Sequence, residues 1–338
     1  MTNPSTAPVT PERIMQFAWG YAPPLVLEAA IRHRVFDLLD SGPKTVQELH
    51  TEAGASERGL AAIANALVAL DFLAKDNQGR YSLTPESAAF LVSTKPGFHG
   101  GLIRHCSQHL IPKWLRLNEI VETGQPVEAV NEETTGGDFF EKFVNDIFPM
   151  SYPAAQAVVQ HLNFKAGAPV RVLDLAAGSG VWGIALAQSN EQVRVTAVDW
   201  PRVIPVTKNT VARFGLSDRF SFVEGDLQQA DFGKDYAVAT LGHILHSEGE
   251  QRSRELLAKT FEALGSGGTI VIAEFLANAD RTGPVNAMLF AVNMLVATES
   301  GNTFSFEEIS SWLREAGFVN ARTVESPGPS PLILATKP

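Results

Sequence analysis

From about residue 169 onward, short β-branched runs alternate with helical stretches, and no other pattern in the chain limits the fold as tightly. VRVLDLA, QVRVTAVD, FSFVEGD, YAVATLG and TIVIAEFL are separated by segments such as VIPVTKNTVARFG and EQRSRELLAKTFEALG, whose apolar residues recur at helical spacing. Strands that each return through a helix lie parallel, and a parallel sheet needs helices on both faces. The chain ends in VNARTVES, a Pro-Gly-Pro turn and PLILATKP, which predicts an antiparallel hairpin at the sheet edge. The expected class is therefore α/β, with a seven-stranded, mostly parallel sheet.

Upstream the pattern is helical, as in PPLVLEAAIRHRVFDLLD and ERGLAAIANALVALDFL. TVQELHTEAGASERGLAAIANAL reads as helix, turn, helix, and LDFLAKDNQGRYSLTP as two short strands around an Asn-Gln-Gly turn, which together predict a winged helix. The second helix starts with Glu57 and Arg58 and continues mostly with Ala, Ile and Leu, so it lacks the phosphate and base readers of a DNA-binding regulator. A net charge of −10 argues the same way, because nucleic-acid surfaces need clustered cations. The apolar stretch MQFAWGYAPPLVLEAA suits burial against a second copy, so a homodimer through this domain is expected. Residues 1–100 are assigned to the winged-helix domain. Residues 101–338 are assigned to connecting helices, such as HCSQHLIPKWLRLNEIVETG and FFEKFVNDIFPMSYPAAQAVVQHL, followed by the α/β domain.

No apolar run approaches the ~18 residues of a membrane span, and MTNPSTAPVTPER has neither the basic start nor the apolar core of a secretory signal. A cytoplasmic protein with no membrane partner is expected. The single cysteine, Cys106, has no internal disulfide partner. No Cys/His cluster has the spacing of a structural zinc site, and His105 and His109, although at i, i+4, lack a nearby carboxylate motif, so no metal is expected.

RVLDLAAGSGVWG carries G-x-G-x-x-G at Gly178, Gly180 and Gly183. A dinucleotide fold sets its first glycine almost directly after the strand, so that a pyrophosphate meets the helix N-terminus. Here Asp174-Leu175-Ala176-Ala177 intervenes, and an acid at a strand end repels a pyrophosphate but accepts a hydrogen bond from a cationic amine. Asp199 ends the second strand, where a carboxylate takes both ribose hydroxyls, and Trp200 beside it offers a flat face to adenine. Asp226 ends the third strand and can accept the adenine amino group, with Leu227 following it in the same site. Amine, ribose and adenine together favour S-adenosylmethionine over a nicotinamide cofactor, with S-adenosylhomocysteine as the product.

These residues, followed by LGHILHSEGEQRSRELL, resemble the small-molecule O-methyltransferases typified by caffeic acid, hydroxyindole and polyketide O-methyltransferases. The likeness spans nearly the whole chain. It implies a Rossmann-like class I methyltransferase domain with a C-terminal hairpin, behind an N-terminal winged-helix dimerisation domain. In that family a histidine after the fourth strand is the general base, and its match is His246 in Ile244-Leu245-His246-Ser247. The family's glycine-rich D-x-G-G-G-x-G has Ala176 and Ala177 for two glycines, which fits if both keep negative φ. The acid that usually follows the histidine is Ser247. Of the two glutamates that flank the base in plant members, the first matches Glu274 and the second falls at Thr303.

Methyl transfer from a sulfonium is an in-line displacement, which asks the protein to hold nucleophile and methyl carbon at ~3 Å and to remove a proton. A phenol is a poor nucleophile at neutral pH, whereas an imidazole accepts its proton as attack proceeds. His246 fits that task, and Glu274 can accept the other ring N–H and stabilise the imidazolium. His243 is read as structural or pocket-lining. By resemblance, Trp19, Met150, Phe290 and Met294 lie where the family contacts its acceptor, which favours a flat aromatic or polyketide-like small molecule. The main alternative keeps the cofactor but runs non-methylating chemistry such as hydroxylation, decarboxylation or a pericyclic step. C- or N-methylation and a DNA-binding regulator are weaker ones.

Overall fold

The computed structural model describes residues 9–130, 133–162, 164, 169–328 and 330–338, and only the helical backbone at 133–135, 138 and 142. The first eight residues, part of the stretch read for a secretory signal, and Pro329 of the expected Pro-Gly-Pro turn lie outside the described residues. The chain divides into two units, one ending at Leu110 and the other running from Ile111 to Pro338.

The first unit is mostly helical: α1 (Glu12–Ala18), α2 (Ala22–Arg32), α3 (Val35–Leu39), α4 (Val46–Ala53), α5 (Glu57–Ala69), strands β1 (Leu73–Lys75) and β2 (Tyr81–Leu83), α6 (Pro85–Phe90), α7 (Gly100–His105) and a π-turn at Cys106–Leu110. Thr45 and Ser56 accept backbone N–H groups at the starts of α4 and α5, fixing the turn between them. The strands pair antiparallel, with Lys75 opposite Tyr81. Tyr81 is buried, and its hydroxyl donates to Asn65 Oδ1 at 2.8 Å, tying the hairpin to α5. The unit ends ten residues beyond the expected boundary because α7 and the π-turn pack on α2. None of the seven residues of α1 is buried.

In the second unit, α8 (Ile111–Trp114), α9 (Leu117–Thr123), α10 (Glu133–Asp146) and α11 (Phe148–Val158) precede the sheet. Then follow β3 (Val170–Leu175), α12 (Val181–Ser189), β4 (Val193–Asp199), α13 (Ile204–Arg213), β5 (Phe220–Glu224), β6 (Tyr236–Gly242), α14 (Leu245–Ala263), β7 (Leu264–Ala273), α15 (Val285–Ala297), α16 (Phe306–Glu315), β8 (Val319–Val324) and β9 (Leu332–Thr336). The strand order is β5-β4-β3-β6-β7-β9-β8, parallel through β7 and antiparallel for the last two strands, as the sequence pattern required.

Alternation within the strands separates the two buried faces: Leu173, Leu175, Leu241, Ile270 and Ile272 enter one core, and Val170, Val172, Val238 and Val271 the other. Each such fully buried aliphatic side chain favours the fold by ~1.5–3 kcal/mol. Gly183 matters here for packing. A Cβ at that position would lie 2.8 Å from Val195 Cγ1, so glycine lets α12 close onto β4. From β3 the chain winds outward to β4 and β5 and then returns to pair β6 on the other side of β3. That reversal opens a crevice at the carboxyl ends of β3 and β6, where open α/β sheets hold ligands.

Candidate active site

The loop from β3 to α12 lines one side of the crevice. Gly178 (φ +55) and Gly180 (φ +77) take the left-handed conformation that glycine adopts without strain. Ala177 keeps negative φ, but Ala176 stands at φ +50, contrary to the expectation for both alanines. The loop imposes this: the Ala177 amide reaches Val198 O at 3.2 Å and the Gly180 amide reaches Ala177 O at 2.7 Å, which turns the chain sharply just after the strand. Thr207 Oγ1 donates to Gly178 O at 2.6 Å and pins the loop to α13.

Asp174, expected to meet a cationic amine, has both carboxylate oxygens engaged within the fold. It is fully buried, with Oδ1 accepting from Thr240 Oγ1 at 2.6 Å and Oδ2 from the Gly183 amide at 3.0 Å. Register explains the orientation, because Thr240 on β6 sits directly opposite Asp174. Burial, with a smaller push from the nearby Asp199 charge, raises this carboxyl to about 7 against those hydrogen bonds. Its geometry makes it a brace between β3, β6 and α12.

Asp199 is half-buried at the end of β4 and accepts the Gly178 amide on Oδ2 and the Trp200 amide on Oδ1, both at 2.7 Å. Burial raises it to about 6, and the two amides oppose the rise. The Trp200 indole meets Phe140 of α10 edge-on at 5.8 Å. Asp226 is also half-buried. Its Oδ1 accepts the Gln228 amide, and Oδ2 lies 3.4 Å from Nη2 of Arg252, which also donates to buried Glu248 at 2.6 Å. Leu227 beside it belongs to the core. Gly178, Gly180, Asp199, Trp200 and Asp226 thus come together along the carboxyl ends of three adjacent strands. The donor chemistry fits a ligand with hydroxyls, an amino-substituted ring and positive charge, since the two half-buried carboxylates would oppose a pyrophosphate.

Beyond β6, α14 opens with one turn that carries His246 and breaks at Gly249, where φ is +76 and ψ 174. A Cβ at Gly249 would meet Ser300 O at 2.7 Å, so glycine allows that strand-to-helix segment to approach the 298–305 loop. His246 is buried. Its Nδ1 lies 2.7 Å from Glu274 Oε2, and its backbone amide donates to Glu274 Oε1 at 3.2 Å. Glu274, immediately after β7, is buried as well. Burial pushes its carboxyl up, but the His246 charge and hydrogen bonds and the nearby His243 outweigh it, leaving the pKa below the usual range. With Nδ1 engaged, Nε2 is the ring nitrogen left to exchange a proton, and it has no hydrogen-bond partner among the described residues.

Phe290 meets the His246 ring edge-on at 4.9 Å and packs on Phe275 at 4.2 Å, and both phenylalanines are half-buried. Met294 is buried farther along α15, and Met150 is half-buried on α11. Trp19 belongs to the first unit, where it is exposed and stacks on Tyr21 at 6.2 Å. In the same unit His105 is buried and its ring lies 5.4 Å from exposed His109. Thr303 is buried, its backbone carbonyl taken by Arg281 and its hydroxyl without a hydrogen-bond partner among the described residues. Ser247 Oγ donates to Ile244 O within the first turn of α14.

Thr240, Arg252, Phe275 and Ser330 carry contacts that the sequence reading did not single out. Thr240 had a signal, a lone hydroxyl inside the apolar run YAVATLG. Among the described residues no group of three His, Cys, Asp or Glu side chains converges as a metal site, and no helix is long and apolar enough to cross a membrane.

Comparison with known proteins identifies the family. A family model for the O-methyltransferase domain matches residues 122–319, and one for the O-methyltransferase dimerisation domain matches residues 15–93. The 3-hydroxy-5-methyl-1-naphthoate 3-O-methyltransferase of Streptomyces sahachiroi is 30% identical, over 97% of this chain and 95% of the relative. The tetracenomycin polyketide synthesis 8-O-methyl transferase TcmO of Streptomyces glaucescens is 28% identical over 99% of each chain. Among solved structures, PigF with S-adenosylhomocysteine superposes with a TM-score of 0.82 at 25% identity, over 98% of this chain and 100% of the other. With the domain model covering more than half of its length and a full-length relative at that identity, the chain belongs to the S-adenosylmethionine-dependent O-methyltransferase family.

Proposed function

We propose that this enzyme methylates a hydroxyl of a small aromatic or polyketide-like acceptor, with His246 as general base and Glu274 as its orienting carboxylate. The observation that carries the reading is the buried 2.7 Å contact between His246 Nδ1 and Glu274 Oε2, at the carboxyl edge of the sheet and beside the Phe275–Phe290 pair. Glu274 fixes the proton on Nδ1 and leaves Nε2 basic. As the acceptor hydroxyl ionises, Nε2 takes its proton, and the carboxylate 2.7 Å away stabilises the resulting imidazolium. The half-buried faces of Phe275 and Phe290 suit a flat aromatic ring.

Asp199, Asp226, Trp200 and the Gly178–Gly180 turn would hold S-adenosylmethionine, which supplies an electrophilic methyl carbon when bound. Asp174 supports them by holding β3, β6 and α12 in register. The first unit serves association. Ile14, Met15, Phe17, Trp19, Tyr21 and Leu25 are exposed on α1, α2 and the turn between them, an apolar surface suited to a second copy. In winged-helix form, α5 exposes Glu57, Arg58, Ala62, Asn65 and Ala69, a face with one cation and little use for DNA. One cysteine and no membrane-spanning helix among the described residues suit the cytoplasm.

The test is incubation with labelled S-adenosylmethionine and a panel of hydroxyaromatics, followed by mass analysis, with His246→Ala as control. A methylated product that disappears in the variant supports the reading. Equal turnover by His246→Ala at pH 7, or label on carbon or nitrogen, overturns it. Calorimetry with Asp199→Ala tests the cofactor separately, because undiminished S-adenosylhomocysteine affinity would remove that residue from the site.

A further inference from the structure

The proposed chemistry uses one histidine, yet two reach the same aromatic patch. His243 follows β6 directly and stands at φ +62, in the left-handed region that a non-glycine residue rarely occupies unless its surroundings hold it there. Its backbone amide donates to Ala273 O at 2.9 Å, continuing the β6–β7 ladder past the end of the strand. The side chain is clamped from the other direction. Nε2 lies 2.9 Å from the hydroxyl of buried Ser330, in the segment between β8 and β9, and Ser326 Oγ in turn donates to Ser330 O at 2.8 Å.

The ring is half-buried, 5.2 Å from Phe275 and 6.3 Å from His246 between centroids. Desolvation holds the imidazole down to about 4, with His246 adding to the fall and Glu274 opposing it, so it is uncharged at neutral pH. An uncharged imidazole has one donor and one acceptor nitrogen. Nδ1 has no hydrogen-bond partner among the described residues, and the mechanism gives it no task.

We propose that His243 is a specificity-determining contact for the acceptor, its Nδ1 edge hydrogen-bonding a second oxygen about one aromatic ring away from the hydroxyl that His246 deprotonates. The inference rests on the O-methylation reading above and adds a substrate class to it: fused or substituted aromatics with two oxygen functions are selected over simple monophenols. The clamp by Ser330 fixes which nitrogen is available, and the left-handed backbone directs the ring back toward Phe275 rather than along the strand.

The experiment compares a monohydroxynaphthalene with the dihydroxynaphthalenes in the parent, in His243→Gly and His243→Asn, which both tolerate positive φ, and in Ser330→Ala. The parent should prefer at least one dihydroxy isomer in kcat/KM by about ten-fold, the worth of one neutral hydrogen bond. His243→Gly should collapse that ratio, mainly through the acceptor KM, while Ser330→Ala lowers it in part. A ratio preserved in His243→Gly, equal losses on both acceptors, or no preference in the parent overturns the proposal. Calorimetric binding of the same acceptors to the S-adenosylhomocysteine complex reads the preference without turnover. An enzyme that binds dihydroxy acceptors preferentially through His243 but methylates none refutes the proposed function, and the inference built on it, while keeping only the binding contact at His243.

Discussion

Replacing Glu274 by glutamine changes no volume, yet the geometry around it makes a large effect on turnover necessary. Both carboxylate oxygens accept from donors on the same residue, Oε2 from the His246 ring at Nδ1 and Oε1 from the His246 backbone amide. An amide has one acceptor oxygen and one donor nitrogen. If its oxygen faces the ring, its NH2 group meets the backbone N–H and a buried donor is left unpaired. If it flips, the ring tautomer must flip too, and the proton moves to Nε2, where it blocks the nitrogen that accepts from substrate. The charge that stabilises the imidazolium is lost either way. A hydrogen bond to a charged group contributes ~1.5–3 kcal/mol, so kcat should fall by about 10–10²-fold. The assay is kcat at saturating donor and acceptor across pH 6–10, with S-adenosylhomocysteine affinity and thermal unfolding as controls. The deficit should narrow at high pH, where a pre-ionised phenolate needs no base. A Glu274→Gln enzyme within three-fold of parental kcat at pH 7, while folded and cofactor-competent, would refute the orienting role.

Ala176→Gly should stabilise the protein by about 0.5–1 kcal/mol in urea denaturation, because relief of the left-handed strain at φ +50 exceeds glycine's extra unfolded-state entropy. A lower midpoint with unchanged m-value would show that the alanine methyl is holding the loop. Gly183→Ala should destabilise by about 1–3 kcal/mol through overpacking against Val195 and Phe220, and weaken S-adenosylhomocysteine binding by displacing the Asp174 brace. Unperturbed stability would mean that α12 can retreat from β4. Asp174 and Asp199, raised to about 7 and about 6, hold protons in the fold that the unfolded chain has released above its ordinary aspartate pKa of about 4. Their contribution is therefore fully present below about pH 4 and is lost progressively as pH rises from there through 6–7. Asp174→Asn should flatten stability against pH over about 4–7, and parallel profiles for parent and variant would contradict the shift.

The layout of the second unit could be read in the sequence because each strand and helix carries its own period, and parallel strands with helical returns have few ways to pack. The turn after β3, the acids that end β4 and follow β5, and the hairpin at the edge all declared themselves by local spacing. His246 and Glu274 were found by likeness to a family, since nothing in the spacing of residues 28 apart announces a 2.7 Å contact. What tertiary structure alone decided is direction. Asp174 was expected at a ligand, and β6 places Thr240 opposite it across the sheet, where its hydroxyl bonds the carboxylate. Ala176 takes positive φ because hydrogen bonds from the loop around it fix that turn, against the residue's own preference. His243 could be read only as structural or pocket-lining, and it is Ser330, 87 residues later, that holds its ring beside Phe275. Sequence period fixes which residues alternate between faces and which end a strand. The atom a buried polar group points at depends on partners that only the folded sheet brings within hydrogen-bonding distance.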